Sequence, residues 1–168
     1  MKTRKQLFDY FDQLGIKHTT YEHEPVFTAQ AANEVAQSIA GCHVRNLFLK
    51  DDHEQLWLLV VMLMRPKIDL KAVSKTLKTR NLRFAQEQML MEHIGVTPGS
   101  VTPFGLINDQ ERRVKVVIDH HILESNLVNA HPLENSATTS INTADFMKFL
   151  SHLGYLVTPF DFDQLSLI

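Results

Sequence analysis

A chain of 168 residues, 44% apolar and 21% charged, is long enough to bury one core without staples and has ordinary globular composition. The single cysteine, Cys42, excludes an internal disulfide, and no apolar run approaches the ~18 residues of a membrane span, so the cytoplasm is the expected setting. A net charge of −2 argues against a general DNA or RNA binder, yet residues 65–83 hold seven Lys or Arg against one acid, a local +6 that leaves −8 on the remainder.

In chain order, Leu7, Phe8, Phe11 and Leu14 recur at helical spacing within a charged opening segment. This predicts a helix over about 3–14, closed by Gly15, rather than a secretion signal. The alternation in IKHTTYEH (16–23) predicts a short strand. Thr28 is placed to cap a second helix running to Gly41. Residues 43–64, HVRNLFLKDDHEQLWLLVVMLM, read as two strands around the polar turn 51–55. The second strand is continuously apolar and so predicted to be buried on both faces. Asp69 opens a third helix with Leu70, Val73 and Leu77 on its apolar stripe and Lys71, Lys75 and Lys78 on another face. A fourth helix over about 85–94 stops at Gly95. RRVKVVID (112–119) reads as a strand, NAHPLENSATTSI (129–141) as loop and short strand, and a last helix runs from Thr143 to Gly154. The whole, residues 1–168, is expected to form one α/β domain with a mixed sheet and surrounding helices.

Few motifs of known chemistry are present. Nine histidines include no HExxH pair, and His120 and His121, being adjacent, are expected to point in different directions, so no metal site is predicted. Cys42 reads as a small buried hydrophobe, and GxSxG, P-loop and GxGxxG patterns are absent. What stands out is GVTPGSVTPFGLIND (95–109), with three glycines, two prolines and one charge. Such a stretch is either a packed structural turn or a place where backbone comes close to a ligand.

Four separated motifs, EHEPVFTA (22–29), HVRNLFLKD (43–51), GVTPGSVTPFGLIND (95–109) and HPLENSATTSI (131–141), resemble the YbaK/prolyl-tRNA editing domain family. The likeness is strongest to its free-standing branch that hydrolyses alanyl-tRNA(Pro). It implies that family's α/β fold and a trans-editing deacylase that cleaves the ester of a misacylated tRNA without metal or cofactor. Arg45, Gly99 and His131 take the catalytic positions. Asn46, Lys50, Ser100, Thr102, Pro103, Asn135, Ala137, Thr138 and Thr139 are the expected substrate contacts. In the glycine-rich loop, Gly99 and Gly105 are expected to let backbone approach the aminoacyl group, with Pro98 and Pro103 stiffening it. Lys71, Lys75 and Lys78 are expected to meet acceptor-stem phosphates. The implied partner is the acceptor end of tRNA(Pro), with prolyl-tRNA synthetase as a second partner compatible with the resemblance.

Two positions depart from the family pattern. Arg45 stands where the family usually has lysine, and Ala130 where an aromatic residue often precedes the histidine. A guanidinium keeps the charge but cannot act as a base at neutral pH, so Arg45 is expected to hold phosphate or ribose. Two other readings stay open: another small amino acid such as serine, or a non-catalytic module that binds tRNA or a synthetase.

Overall fold

The computed structural model describes residues 1–168. Nine strands form one mixed sheet, flanked by six α-helices, the fold class expected from the sequence. Helix α1 (Arg4–Gln13) begins with a capping box in which Thr3 and Gln6 satisfy one another's backbone, and it buries Leu7 and Phe11. Strand β1 (His18–Glu22) follows, then α2 (Ala29–Ser38), capped by Thr28. That helix stops short of Gly41 because Ile39 is already extended.

Strands β2 (Cys42–Lys50) and β3 (Leu56–Met62) form the expected hairpin. Asp51 fixes its turn by accepting the amides of His53 and Gln55 and the indole N–H of Trp57. Strand β3 lies between antiparallel β2 and parallel β5 (Val114–Asp119). Its side chains alternate between two cores: Leu56, Leu58 and Val60 join the larger, and Trp57, Leu59 and Val61 the smaller. The continuous apolar run is therefore two interleaved sets, one for each face.

Helix α3 (Leu70–Leu77), capped by Asp69, drives Val73 into the smaller core. The two-residue strand β4 (Arg83–Phe84) precedes α4 (Glu87–Ile94). The stretch 95–109 is only partly a loop, since Pro103–Asn108 form a buried 3-10 helix whose start Thr102 caps. Gly105 is there for packing: a Cβ would lie 2.8 Å from the Ile94 carbonyl oxygen. The expectation that Gly105 lets a ligand approach is thus corrected.

After β5 come the four-residue helix α5 (His120–Leu123) and strands β6 (Leu127–Ala130) and β7 (Ala137–Asn142), where one short strand was expected. Helix α6 (Thr143–His152) closes the larger core with Phe146 and Phe149, which meet Phe11 and Phe104 largely edge to face. Strands β8 (Val157–Asp161) and β9 (Ser166–Leu167) extend the sheet beyond β5, in the order β1-β7-β6-β2-β3-β5-β8-β9.

The free edge of β2 is discontinuous. Strand β6 pairs with it only at Cys42 and His43, and β4 only at Leu49 and Lys50. Between them no strand pairs with Val44–Leu47 on that side, and a gap opens in the sheet. Gly105→Ala should lower stability by about 1–3 kcal/mol, because the added methyl must displace helix α4. Urea unfolding reads this directly; a variant as stable as the parent would mean that the packing around Ile94 is loose.

Candidate active site

A cavity of about 600 Å³ opens at the gap in the sheet. Its walls come from the start of α2, His43–Asn46 of β2, the segment 63–65 after β3, Gly99 and Val101 of the glycine-rich loop, and Asn129–His131 with Thr138. The fold thus brings Arg45, Asn46, Gly99, His131 and Thr138 together around one space from four separated segments.

His131 follows β6 at the cavity wall, and its Nδ1 lies 2.9 Å from the Ala137 carbonyl oxygen. A carbonyl can only accept, so Nδ1 carries the proton and a neutral ring leaves Nε2 as a lone pair. Burial pushes the His131 pKa below the ordinary imidazole value, and any charge on His23 and His43 pushes it the same way. His23 stands 6.3 Å away, ring centre to ring centre, and its Nε2 is 2.9 Å from the Thr138 hydroxyl. His43 is held through Nε2 to the Ile39 carbonyl, and burial lowers its pKa too.

Arg45 donates through Nη2 to the Pro66 carbonyl at 3.1 Å, while its Nε is buried without a partner. Asn46 donates through Nδ2 to the Val101 carbonyl, which ties β2 to the glycine-rich loop across the gap. That donation fixes the amide's orientation and leaves Oδ1 buried and unpaired; Asn129, which donates to the Ala40 carbonyl, is in the same condition. Unmet buried polar atoms are rare in folded proteins, and three of the four here belong to residues of the cavity wall. Arg65 also lines the cavity, but its fork is spent on buried Asp119 and on Asp163, and these carboxylates raise its pKa.

Gly99 is exposed, with φ +86° and only the Asn135 amide within 4 Å of where a Cβ would stand. Asn135 itself holds the Val26 carbonyl, just ahead of α2. Other residues expected at the site lie elsewhere. Lys50, at the far end of β2, pairs with Glu54; the unbroken β2–β3 register contains no bulge that would bring it back. Ser100, Thr102 and Pro103 are buried at or before the 3-10 helix. Ala137 is buried and contributes its carbonyl to His131, and Thr139 bonds Thr20 across the β1–β7 ladder. Asn129, His23, His43 and Arg65 were not singled out from the sequence. Three of them sit inside or beside the quoted motifs, which was the available signal.

The basic segment is less free than its composition suggests. Arg65 is committed as described, and Arg83 pairs with Asp52. Lys67, Lys71, Lys75, Lys78 and Arg80 are exposed and form no ion pair. His120 and His121 do not diverge as expected: their ring centres are 3.9 Å apart, and with Glu124 they place potential ligand atoms within 4.8 Å of one another. This group lies outside the cavity wall, and His121 already joins Glu124 to Asp163. Burial raises the pKa of Cys42, which keeps its thiol protonated and unreactive.

Comparison with known proteins adds a family to this geometry. The model of the aminoacyl-tRNA editing domain family matches residues 23–149. The chain is 35% identical over 162 residues to prolyl-tRNA synthetase associated domain-containing protein 1 of Danio rerio, covering 95% of this chain and 88% of that one. It is 33% identical over 154 residues to the prolyl-tRNA editing protein ProX of Acetoanaerobium sticklandii, covering 92% and 94%. Among solved structures, one described as a proposed trans-editing enzyme for prolyl-tRNA synthetase superposes with a TM-score of 0.67 at 18% identity, covering 95% of this chain and 97% of that one.

The histidines make a checkable set. By proton NMR, His131 and His43 should titrate below, and His121 above, the ordinary imidazole value of about 6.5. Stability contributed by the first two is present above about pH 6.5 and is lost as pH falls through their folded midpoints. The contribution of His121 has the opposite sign and fades as pH rises through its own midpoint. A His131 midpoint at or above 6.5 would remove the argument for a free lone pair at neutral pH.

Proposed function

The chain belongs to the aminoacyl-tRNA editing domain family, and we propose that it is a trans-acting deacylase that hydrolyses the ester of misacylated tRNA(Pro), with alanyl-tRNA(Pro) as its favoured substrate. The observation that carries this reading is the convergence of Arg45, Gly99 and His131 on one cavity at the gap in the sheet.

In this reading the aminoacyl group lies against Gly99, Ala130 and Thr138, and Arg45 holds the neighbouring phosphate or ribose. The unmet oxygens of Asn46 and Asn129 are acceptors of the kind an α-ammonium group requires. Nε2 of His131 takes a proton from water as the water oxygen bonds to the ester carbonyl carbon. The acyl–oxygen bond then breaks, and the ribose oxygen leaves with the proton from His131. The amino acid departs as a carboxylate, losing its remaining acid proton to solvent. An aminoacyl ester is already activated, so positioning supplies much of the rate and no metal takes part in the scheme. The bare backbone of Gly99 and the small side chains of Ala130 and Thr138 admit alanine, while the ring of proline meets the rigid loop and is excluded by clash.

Deacylation of alanyl-, seryl- and prolyl-tRNA(Pro), measured side by side with and without chelator, tests the reading. Fast alanyl release, spared prolyl ester and indifference to chelator are expected. Equal rates on alanyl and prolyl esters would overturn the specificity, and loss in chelator restored by zinc would overturn the mechanism.

Substitutions at the cavity separate catalysis from binding alone. Arg45→Ala and Gly99→Val should each lower kcat/KM roughly 100-fold or more while the protein stays folded, the second because valine is strained at positive φ and fills the aminoacyl space. Arg45→Lys should remain active. An inactive parent that Arg45→Lys awakens would instead support a binding module in which the site is disabled at one position.

A further inference from the structure

Arg45 borders a second space. A groove of about 750 Å³, which Arg45 also lines, runs between β2 and the segment leading into α3. Leu47, Ile68, Leu70 and Phe84 make it apolar, and Lys67 and Arg45 supply its cations. Its one carboxylate, Asp69, is engaged in capping α3 through the Ala72 amide. Phe84 is 65% exposed on a two-residue strand, an unusual place for so large an apolar side chain. Beyond Asp69 the groove leads to α3, which carries Lys71 and Lys75 and ends at its C-cap Lys78, all three without an ion pair.

We propose that this groove holds the unpaired 3′ strand of the RNA substrate, with a base stacked on Phe84 and its phosphates between Arg45 and Lys67. The inference rests on the deacylase reading and adds the path by which the substrate reaches the cavity. Two features select RNA over an apolar protein segment. The groove alternates apolar surface with unpaired cations, which suits bases joined by phosphates. It is also continuous, through Arg45, with the cavity where the aminoacyl end would lie, so a strand leaving that cavity enters the groove next. The lysines of α3 then stand where the strand meets its duplex, as counter-charges that read no sequence.

The test compares two unacylated RNA hairpins, an acceptor-stem hairpin with unpaired 3′ nucleotides and the same hairpin trimmed blunt. The parent should bind the first more tightly. Phe84→Ala should cut that gain about tenfold, the usual scale for one stacked base. Phe84→Trp, which keeps an aromatic face, should retain it. Since Phe84 is largely exposed, truncation leaves the core untouched, and matching unfolding curves confirm this. A parent that does not distinguish the two hairpins would sink the tRNA reading itself. A parent that does, joined by a Phe84→Ala variant with the full gain or a Phe84→Trp variant without it, would sink the groove alone.

Discussion

Everything at the candidate site depends on what happens to the edge of β2. A strand edge carries backbone donors and acceptors that need partners, and sheets normally meet this need with another strand. Here β6 runs parallel to β2 for two residues and turns away, and β4 covers only the last two. The interval is bridged by side chain and loop, with Asn46 reaching the Val101 carbonyl and the Ala85 amide reaching Phe48. A cavity can exist inside the sheet because these few bonds replace a ladder. The rest of the same strand is fully invested: Phe48 and Leu49 enter separate cores, one on each face, and β3 pairs with its opposite edge along seven residues. One strand is therefore both the rigid centre of the fold and the floor of the site.

Much of this architecture was legible because it follows from local patterns. The β2–β3 hairpin, its buried second strand, and the caps at Thr28 and Asp69 come from alternation and from side chains that bond the nearest amides. The C-terminal strands were not legible. Strand β8 contains Pro159, which reads as a breaker, yet it sits at the sheet's margin, flanked by only a two-residue strand. Helix α5 is too short to leave a period, and the 3-10 helix is disguised by the proline that opens it and by the glycine that lets it pack against Ile94.

The site was legible in part, and the division has a physical cause. Motif residues with outward geometry, Arg45, Gly99 and His131, reach the cavity. Their neighbours Thr102, Ala137 and Thr139 share the motifs but serve the scaffold: one caps a helix, one offers a carbonyl, and one ties two strands. Sequence proximity cannot separate the two roles, because strand alternation sends adjacent residues to opposite faces. Asn129 and His43 contribute through pairings between β2 and β6 that no local pattern announces.

Arg65 has a consequence for which anions the cavity suits. It stands on the wall, but Asp119 and Asp163 consume its fork, leaving Arg45 as the one cation there with donor capacity to spare. A single available guanidinium balances a single negative charge, which is what an internal phosphodiester carries. A terminal phosphomonoester bears roughly −1.5 to −2 at neutral pH and would enter with charge uncompensated. On the deacylase reading, free mononucleotides, which share a base and a ribose with the end of an RNA chain, would compete poorly for the space, and that selection would require no contact to the base.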